Sequence, residues 1–124
     1  MAGGIGAVEV PTLLFTGALD ETTSNLEDGD PIWSELEAEG SMRVDIATAG
    51  HFTFSNACDV FGELVDGDGC GEGFIEPTAA FQMLNAYSLA FARVHALGER
   101  TPESDELLTG ASEISEDATL SFKP

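Results

Sequence analysis

Two short apolar segments, each followed by a turn that presents a reactive side chain, most constrain what this chain of 124 residues folds into. The first, residues 8–16, is almost continuously apolar and leads through Gly17 to Asp20. The second, residues 42–48, leads through Gly50 to His51. Near-continuous apolarity without alternation is typical of parallel strands that are covered on both faces. Both segments are therefore predicted to be strands of one α/β sheet.

A helix is predicted between these strands. Asp30 is a good N-cap, Pro31 suits the first helical position, and Gly40 suits the position after the last turn. Strand, helix and strand in this order predict a βαβ unit, in which the two strands are parallel and the crossover is right-handed.

The rest of the chain is predicted to contain two more helical segments and an acidic tail. Residues 57–65 suit one or two helical turns, and residues 78–97 form a long helix closed by Gly98. Its apolar face, broad enough to pack on a sheet, is predicted to contain Phe81, Leu84, Tyr87, Phe91 and Val94, widened by Ala80, Met83, Ala90 and Leu97. Residues 1–98 are therefore predicted to be a partial α/β domain, and residues 99–124 an acidic tail that is flexible or loosely docked.

Asp20 and His51 are the candidate catalytic residues. In the α/β-hydrolase fold the triad runs in the order serine, acid, histidine, and the triad members follow strands. The acid holds the histidine tautomer and stabilises the imidazolium, so a rigid strand end suits it. Each residue alone is an ordinary turn residue, and Glu21 competes with Asp20 for the acid role. Their order and matching contexts together favour the acid–histidine pair.

The expected nucleophile is absent from the sequence. No G-x-S-x-G elbow precedes Asp20, and Gly110-Ala111-Ser112 lacks both the second glycine and a preceding strand. An acid–histidine pair without a nucleophile has little to catalyse. The acidic stretch from Asp66 to Gly71 resembles the start of a calcium loop, but Pro77 stands where the final glutamate belongs, which favours a plain turn. No cofactor or metal site is predicted.

The net charge of −19 excludes several partner classes. Nucleic acids and anionic membrane surfaces both need Lys and Arg clusters, and this chain has only four such residues against 23 acids. No segment approaches the roughly 20 apolar residues of a membrane span. A strongly solvated surface without a specific partner is the simplest interpretation, and a saline habitat would account for it.

Cys58 and Cys70 flank the Gly-rich and Asp-rich loop. Such a pair predicts a disulfide in an oxidising compartment and two thiols in a reducing one. The first residues show neither a basic region nor a long apolar run, so no signal peptide is predicted.

The sequences of several segments resemble the C-terminal part of bacterial predicted dienelactone hydrolases. These belong to the α/β-hydrolase superfamily and resemble platelet-activating-factor acetylhydrolases. The resemblance covers residues 10–98 and rests on Val10-Pro11-Thr12-Leu13-Leu14 with Gly17 and Asp20, on Ala49-Gly50-His51-Phe52-Thr53-Phe54, on Cys58 with Cys70-Gly71-Glu72-Gly73-Phe74-Ile75, and on Tyr87-Ser88-Leu89-Ala90-Phe91.

The resemblance implies an incomplete α/β-hydrolase sheet, with Asp20 as the triad acid, His51 as the triad base and a Cys58–Cys70 bridge steadying the loop after the histidine. It also implies ester substrates and a serine elbow upstream of the segments present here. The expected function is thus the C-terminal part of a secreted or periplasmic serine esterase, inactive alone, which pairs with a missing N-terminal half or self-associates. The alternative is a non-catalytic acidic module that binds a partner or cations.

Overall fold

A computed structural model describes residues 4–124. It has a mixed α/β architecture with three strands and four α-helices. The elements in chain order are β1 (Leu13–Gly17), α1 (Asp30–Glu35), β2 (Met42–Ile46), α2 (Ala57–Phe61), α3 (Pro77–His95), α4 (Pro102–Thr109) and β3 (Ala118–Phe122). Short 3₁₀ helices span Ile5–Ala7, His51–Phe54 and Gly62–Val65, and a π-helical turn spans Asn25–Gly29 immediately before α1. The predicted ends of α1 are wrong, because the π-helical turn runs directly into the helix, which makes Asp30 its first residue, and α1 ends at Glu35, before Gly40.

The three strands form one mixed sheet in the order β1-β2-β3. β1 and β2 are parallel, with Leu13 opposite Met42 and Gly17 opposite Ile46, which confirms the predicted parallel pair around a helix. β3 runs antiparallel to β2 on its other side. Among the described residues no strand pairs with the outer edge of β1. The carboxyl ends of β1 and β2 therefore lie side by side at one end of the sheet.

One face of the sheet packs on α3 and forms the core. Met42, Val44 and Ile46 alternate along β2 and are at most 2 % exposed, and Met83 and Tyr87 of α3 are equally buried. The buried positions of α3 are Ala80, Met83, Tyr87, Ala90 and Val94, at spacings of three and four residues. All five belong to the predicted apolar face, whereas Phe81, Leu84 and Phe91 are only partly buried and Leu97 is 66 % exposed.

The opposite face of the sheet is polar and centres on Arg43, which is 8 % exposed. Its guanidinium donates from Nε to Thr16 Oγ1 (3.0 Å) and from Nη1 to Asp30 Oδ1 (2.8 Å). Asp45 Oδ1 accepts hydrogen bonds from Thr16 Oγ1 (2.6 Å) and from Asn25 Nδ2 (2.9 Å). Paired in this way, a buried cation is tolerated, and the network ties α1 and the preceding turn to the two parallel strands.

Residues 99–124, predicted to be a flexible or loosely docked tail, contain a helix and a strand. Thr101 caps α4 by accepting from Ser104 N at 3.1 Å, and Pro102 occupies the first turn. Ala118 and Leu120 of β3 pack against the core, as do Leu107 and Leu108 of α4. The strict apolar–polar alternation of Ala118–Phe122 is the period-two signal of a half-buried strand, within an otherwise acidic segment.

The predicted disulfide is confirmed: Cys58 and Cys70 are bonded, 12 residues apart. Within residues 4–124, helices are either too short or too polar to cross a membrane.

Candidate functional site

The turns that follow β1 and β2 are hydrogen-bonded to each other at the backbone. Ala18 N donates to Ile46 O and Leu19 N donates to Ala49 O, both at 3.0 Å. These bonds extend the parallel pairing beyond the strands. They fix the two turns side by side, so that the residues following them meet in space.

Asp20 and His51 are in direct contact. Nδ1 of His51 lies 3.2 Å from Oδ2 of Asp20. The Asp20 side chain is 8 % exposed, whereas the His51 side chain is 33 % exposed. No hydrogen bond to the other ring nitrogen, Nε2, occurs among the described residues. The acid is therefore shielded behind the histidine, and the imidazole has one nitrogen on the acid and the other available.

The Asp20 carboxylate is held by its own turn. Oδ1 accepts from the backbone of Thr22 (2.9 Å) and of Thr23 (2.8 Å), and Oδ2 accepts from the Thr23 hydroxyl (2.7 Å). Burial raises the pKa of Asp20, but the hydrogen bonds from Thr23, His51 and Thr22 outweigh burial and hold the pKa below its ordinary value. Asp20 is therefore an anion at neutral pH, as the partner of a histidine proton should be.

The His51 turn is held by a loop that comes later in the chain. Asp68 accepts from His51 N through Oδ1 (3.3 Å) and from Phe52 N through its carbonyl oxygen (2.9 Å). Gly69 O accepts from the buried Thr53 hydroxyl at 3.0 Å. The second Asp68 oxygen accepts from Thr22 Oγ1 (2.9 Å), so this aspartate joins both turns.

Glycines make this close approach possible. A Cβ on Gly50 would lie 2.6 Å from the backbone nitrogen of Gly69, and one on Gly69 would lie 2.7 Å from that of Thr53. Gly69 also has a positive φ of 117°. The disulfide at Cys70 anchors the loop directly after these contacts.

A cleft of about 240 Å³ opens beside the pair. His51, Asp20 and Thr23 line one part of it, and Phe54 and Ile32 add apolar surface. The remaining wall consists largely of β1, residues 14–17, whose outer edge has no strand partner among the described residues. The cleft therefore joins the histidine to the open edge of the sheet.

The described residues provide no nucleophile for this histidine. The only side-chain hydroxyl within hydrogen-bond distance of the His51 ring in residues 4–124 is Thr23 Oγ1, 3.4 Å from Nδ1, and it donates to Asp20. Both cysteines are in the disulfide. Thr23 thus orients the pair rather than attacking a substrate.

No group of three or more His, Cys, Asp or Glu side chains in the described part of the chain is arranged to hold a metal ion. The loop containing Asp66 and Asp68 therefore lacks a cation cage there. The two carboxylate oxygens of Asp68 instead accept hydrogen bonds from Thr22 and His51, one in each turn.

The structure brings together the two predicted residues and adds two that sequence reasoning missed, Thr23 and Asp68. Thr23 had a local signal, because an aspartate followed two and three residues later by threonines is typical of a turn closed by the carboxylate. Asp68 had none, because its contact depends on a loop that returns 17 residues after His51.

Comparison of the chain with protein-family models, with curated proteins and with solved structures found no match.

Proposed function

We propose that this chain is the C-terminal part of a serine ester hydrolase of the α/β-hydrolase type. Asp20 and His51 would supply the acid and base of its triad, and the nucleophilic serine would come from a segment outside these residues. The observation that carries the proposal is the 3.2 Å contact between Nδ1 of His51 and the carboxylate of Asp20, at the ends of adjacent parallel strands. This is the relation that a triad requires between its acid and its base.

The roles follow from the geometry of the pair. Nε2 of His51 takes the serine proton as the serine oxygen attacks the ester carbonyl, and gives that proton to the departing alcohol. It then takes a proton from the water that attacks the acyl-enzyme, and returns it to the serine as the carboxylic acid leaves. Asp20 keeps the ring in the tautomer with its proton on Nδ1 and stabilises the imidazolium formed in each step.

The open edge of β1 supports a location for the missing segment. The cleft beside His51 is walled by residues 14–17 of β1, so a strand added to this edge would end next to the imidazole. Unpaired edges favour such additions because their backbone groups lack partners. The Cys58–Cys70 disulfide supports an oxidising compartment, consistent with a secreted or periplasmic enzyme.

The tautomer of His51 tests the acid–base relation in the isolated chain. Nitrogen-15 NMR at pH 9 is expected to show the proton of neutral His51 on Nδ1, and Asp20→Asn is expected to shift it largely to Nε2. His95, which does not contact Asp20, is the internal control. An unchanged His51 tautomer in the Asp20→Asn variant would overturn the assignment of Asp20.

The serine is tested with a fluorophosphonate probe. The purified chain is expected neither to hydrolyse p-nitrophenyl butyrate nor to be labelled. The chain immobilised in its native extract is expected to capture a polypeptide whose serine is labelled, and a His51→Ala chain is expected to capture the same polypeptide with at least about 100-fold less labelling. Labelling that is independent of His51, or hydrolysis by the purified chain, would contradict the proposal.

The second candidate is a non-catalytic acidic interaction module. Its supporting observation is a group of exposed apolar side chains on α2 and the following 3₁₀ helix: Val60, Phe61 and Leu64 are 61 %, 55 % and 85 % exposed. Such a group is typical of a protein interface. Capture of an unlabelled partner that is lost in a Phe61→Ser/Leu64→Ser variant, but kept in His51→Ala, would favour this function.

A further inference from the structure

The sheet has a second open edge, on the side of β3 that faces away from β2. Among the described residues, no strand pairs with β3 on that side. Lys123 N donates to Ser41 O of the neighbouring chain segment at 2.9 Å, and bonded and outward-facing residues alternate along an antiparallel strand. The backbone N–H and C=O groups of Leu120 and Phe122 therefore point to the open edge.

This edge lacks the charges, prolines and bulges with which natural proteins protect an edge strand. Ala118–Phe122 contains no charged residue, although the chain has 23 acids, and it pairs with β2 in an unbroken register. Thr119 is exposed, as is 41 % of Phe122. A cavity of about 420 Å³ lies between β3 and the end of α4 at Gly110. The edge therefore has room for the side chains of an added strand.

The sequence of β3 is complementary to itself when two copies run antiparallel about Leu120. In that register Ala118 lies opposite Phe122 of the second copy, so the aromatic ring has room beside a small residue. Thr119 lies opposite Ser121, and hydroxyl side chains directly opposite each other are a favourable cross-strand pair. Leu120 lies opposite its own counterpart, and the arrangement has two-fold symmetry.

The same register also suits the backbone. Leu120 N would donate to Leu120 O of the second copy, and Phe122 N would donate to Ala118 O. Symmetry doubles both bonds, which gives four hydrogen bonds between the strands. Ala118 N is not needed for these four, and it already donates to Ser115 O at 3.3 Å.

The charged residues that flank β3 match in this register as well. Asp117, directly before the strand, lies opposite Lys123 of the second copy, directly after it. Asp117 Oδ2 accepts from Thr48 Oγ1, while Oδ1 accepts no hydrogen bond in the described part of the chain. The Lys123 ammonium lies 4.7 Å from the centre of the Trp33 ring and forms no ion pair within residues 4–124. Opposite charges of two copies therefore meet at both ends of the strand pair.

We propose that two copies of this chain associate through β3, in an antiparallel pair centred on Leu120 that joins two three-stranded sheets into one of six strands. Such a contact has the two-fold symmetry that is commonest among homo-oligomers. It lies at the opposite edge of the sheet from β1, so the dimer forms whether or not the Asp20–His51 pair is catalytic. Short paired strands bury little surface, and the dimer is therefore expected to be reversible.

Amide hydrogen exchange locates the contact. NMR measures it at about 20 µM and about 1 mM chain in about 0.5 M NaCl, which screens the long-range repulsion between two chains of net charge −19. Exchange at Leu120 and Phe122 N–H is expected to slow at the higher concentration. Ser121 N–H, which faces β2, is expected to be protected at both concentrations and shows that the sheet is folded.

Phe15 N–H points to the outer edge of β1 and is the internal control. Its exchange is expected to be independent of concentration. Slowing at Phe15 instead of Leu120, or no change at Leu120 up to about 1 mM, would overturn the proposal.

Cysteine cross-linking tests the register. A mixture of Thr119→Cys and Ser121→Cys chains is expected to form a disulfide-linked dimer, because these positions lie directly opposite with Cα atoms about 4.5 Å apart. Either variant alone is expected to cross-link at least about tenfold more slowly, because identical positions lie diagonally, about 7–8 Å apart. Equal rates in the mixture and in the single variants would indicate random collision and contradict the register.

A charge reversal tests the flanking pairs. Lys123→Glu is expected to weaken the dimer about tenfold, because two pairs of opposite charges become pairs of like charges. Arg93→Glu makes the same change at an exposed position of α3 away from β3, and is expected to change the dimer dissociation constant less than about twofold. Sedimentation equilibrium measures both constants. Equal weakening by the two variants would mean that net charge rather than strand pairing controls association, and the proposal would be wrong.

Discussion

The turns after β1 and β2 present the two members of the acid–histidine pair, but they are held by different kinds of contact. Asp20 is fixed by Thr22 and Thr23, two and three residues along the chain. His51 is fixed by Asp68 and the adjoining Gly69, on a loop 17 residues further on. The Asp20 carboxylate is therefore held mainly by local hydrogen bonds, whereas the backbone at His51 and Phe52 is held in addition by a distant loop docked against it.

This difference predicts that substitutions in the distant loop, or loss of its disulfide, destabilise the His51 turn more than the Asp20 turn. Local hydrogen bonds re-form wherever the short segment that contains them can fold, whereas a docked loop also has to overcome the entropy of closing a longer chain segment. The disulfide at Cys58 and Cys70 reduces that entropy for the loop behind His51. The Asp20 turn has no comparable covalent support.

Removal of the disulfide is expected to have the largest effect. The variant Cys58→Ser/Cys70→Ser should lower the free energy of unfolding by roughly 2–4 kcal/mol, because the unfolded chain regains the freedom of a 12-residue loop. Urea unfolding measures the loss. Native-state hydrogen exchange should show faster exchange at Phe52 N–H, which donates to Asp68 O, while Thr23 N–H keeps its protection.

Reduction of the wild-type chain by dithiothreitol should reproduce the exchange pattern of this variant, which controls for the added serines. Equal loss of protection at Phe52 and Thr23 would show that the two turns unfold as one unit, and the contrast between local and docked turns would be wrong.

The variant Gly50→Ala tests the docking contact itself and is expected to cost roughly 1–3 kcal/mol. Gly50 is extended, with φ −111°, so alanine is conformationally acceptable. The cost comes instead from a methyl group 2.6 Å from Gly69 N and 2.8 Å from Asp68 C. Gly6→Ala is the matched control, because its Cβ would meet only Glu35 O at an ordinary 3.4 Å. Similar unfolding free energies for the two alanine variants would refute the tight contact.

The same contrast explains how far the sequence predicts the structure. The parallel strands, the presence of a helix between them and the meeting of Asp20 with His51 follow from apolar runs, Pro31 and strand order, which are local signals. The part played by Asp68 depends on a loop returning to the sheet, for which no short pattern exists. The degree of burial along the apolar face of α3 depends equally on the elements packed against it, because Ala80 and Met83 are fully buried while their neighbours Phe81 and Leu84 are only partly buried.

The segment after residue 98 is a different case. It contains local sequence patterns for a helix and a strand, but its many acidic residues favoured the prediction of a tail. Thr101-Pro102 is a helix start, and the alternation of Ala118–Phe122 is a strand pattern. The surrounding acids made these residues resemble a solvated tail. Pairing with β2 decides the outcome, because it buries Leu120 against the core.

The smallest expected effect is the pH dependence of stability contributed by Asp20. It tests whether the Asp20 turn is held by its local hydrogen bonds. Because the pKa of Asp20 is lower in the folded chain than in the unfolded one, its carboxylate stabilises the fold fully above the unfolded value of about 3.9. This stabilisation is lost as the pH falls through the lower folded pKa. Asp20→Asn lacks it but keeps an oxygen for the two backbone donors, so the difference should stay below about 1 kcal/mol.

Unfolding free energies of His51→Gln and His51→Gln/Asp20→Asn, measured from pH 6 to pH 2.5, isolate this contribution from the titration of the imidazole. The gap between the two variants is expected to be constant above about pH 5 and to close towards the acidic end. Glu21→Gln in the same background removes the neighbouring carboxylate, whose side chain makes no hydrogen bond among the described residues, and should leave the gap unaffected. Because the donors at Thr22 and Thr23 remain when His51 is replaced, a gap that persists shows that the acid turn is self-supporting. A gap that vanishes at every pH would mean that the Asp20 carboxylate stabilises the fold only through its contact with His51.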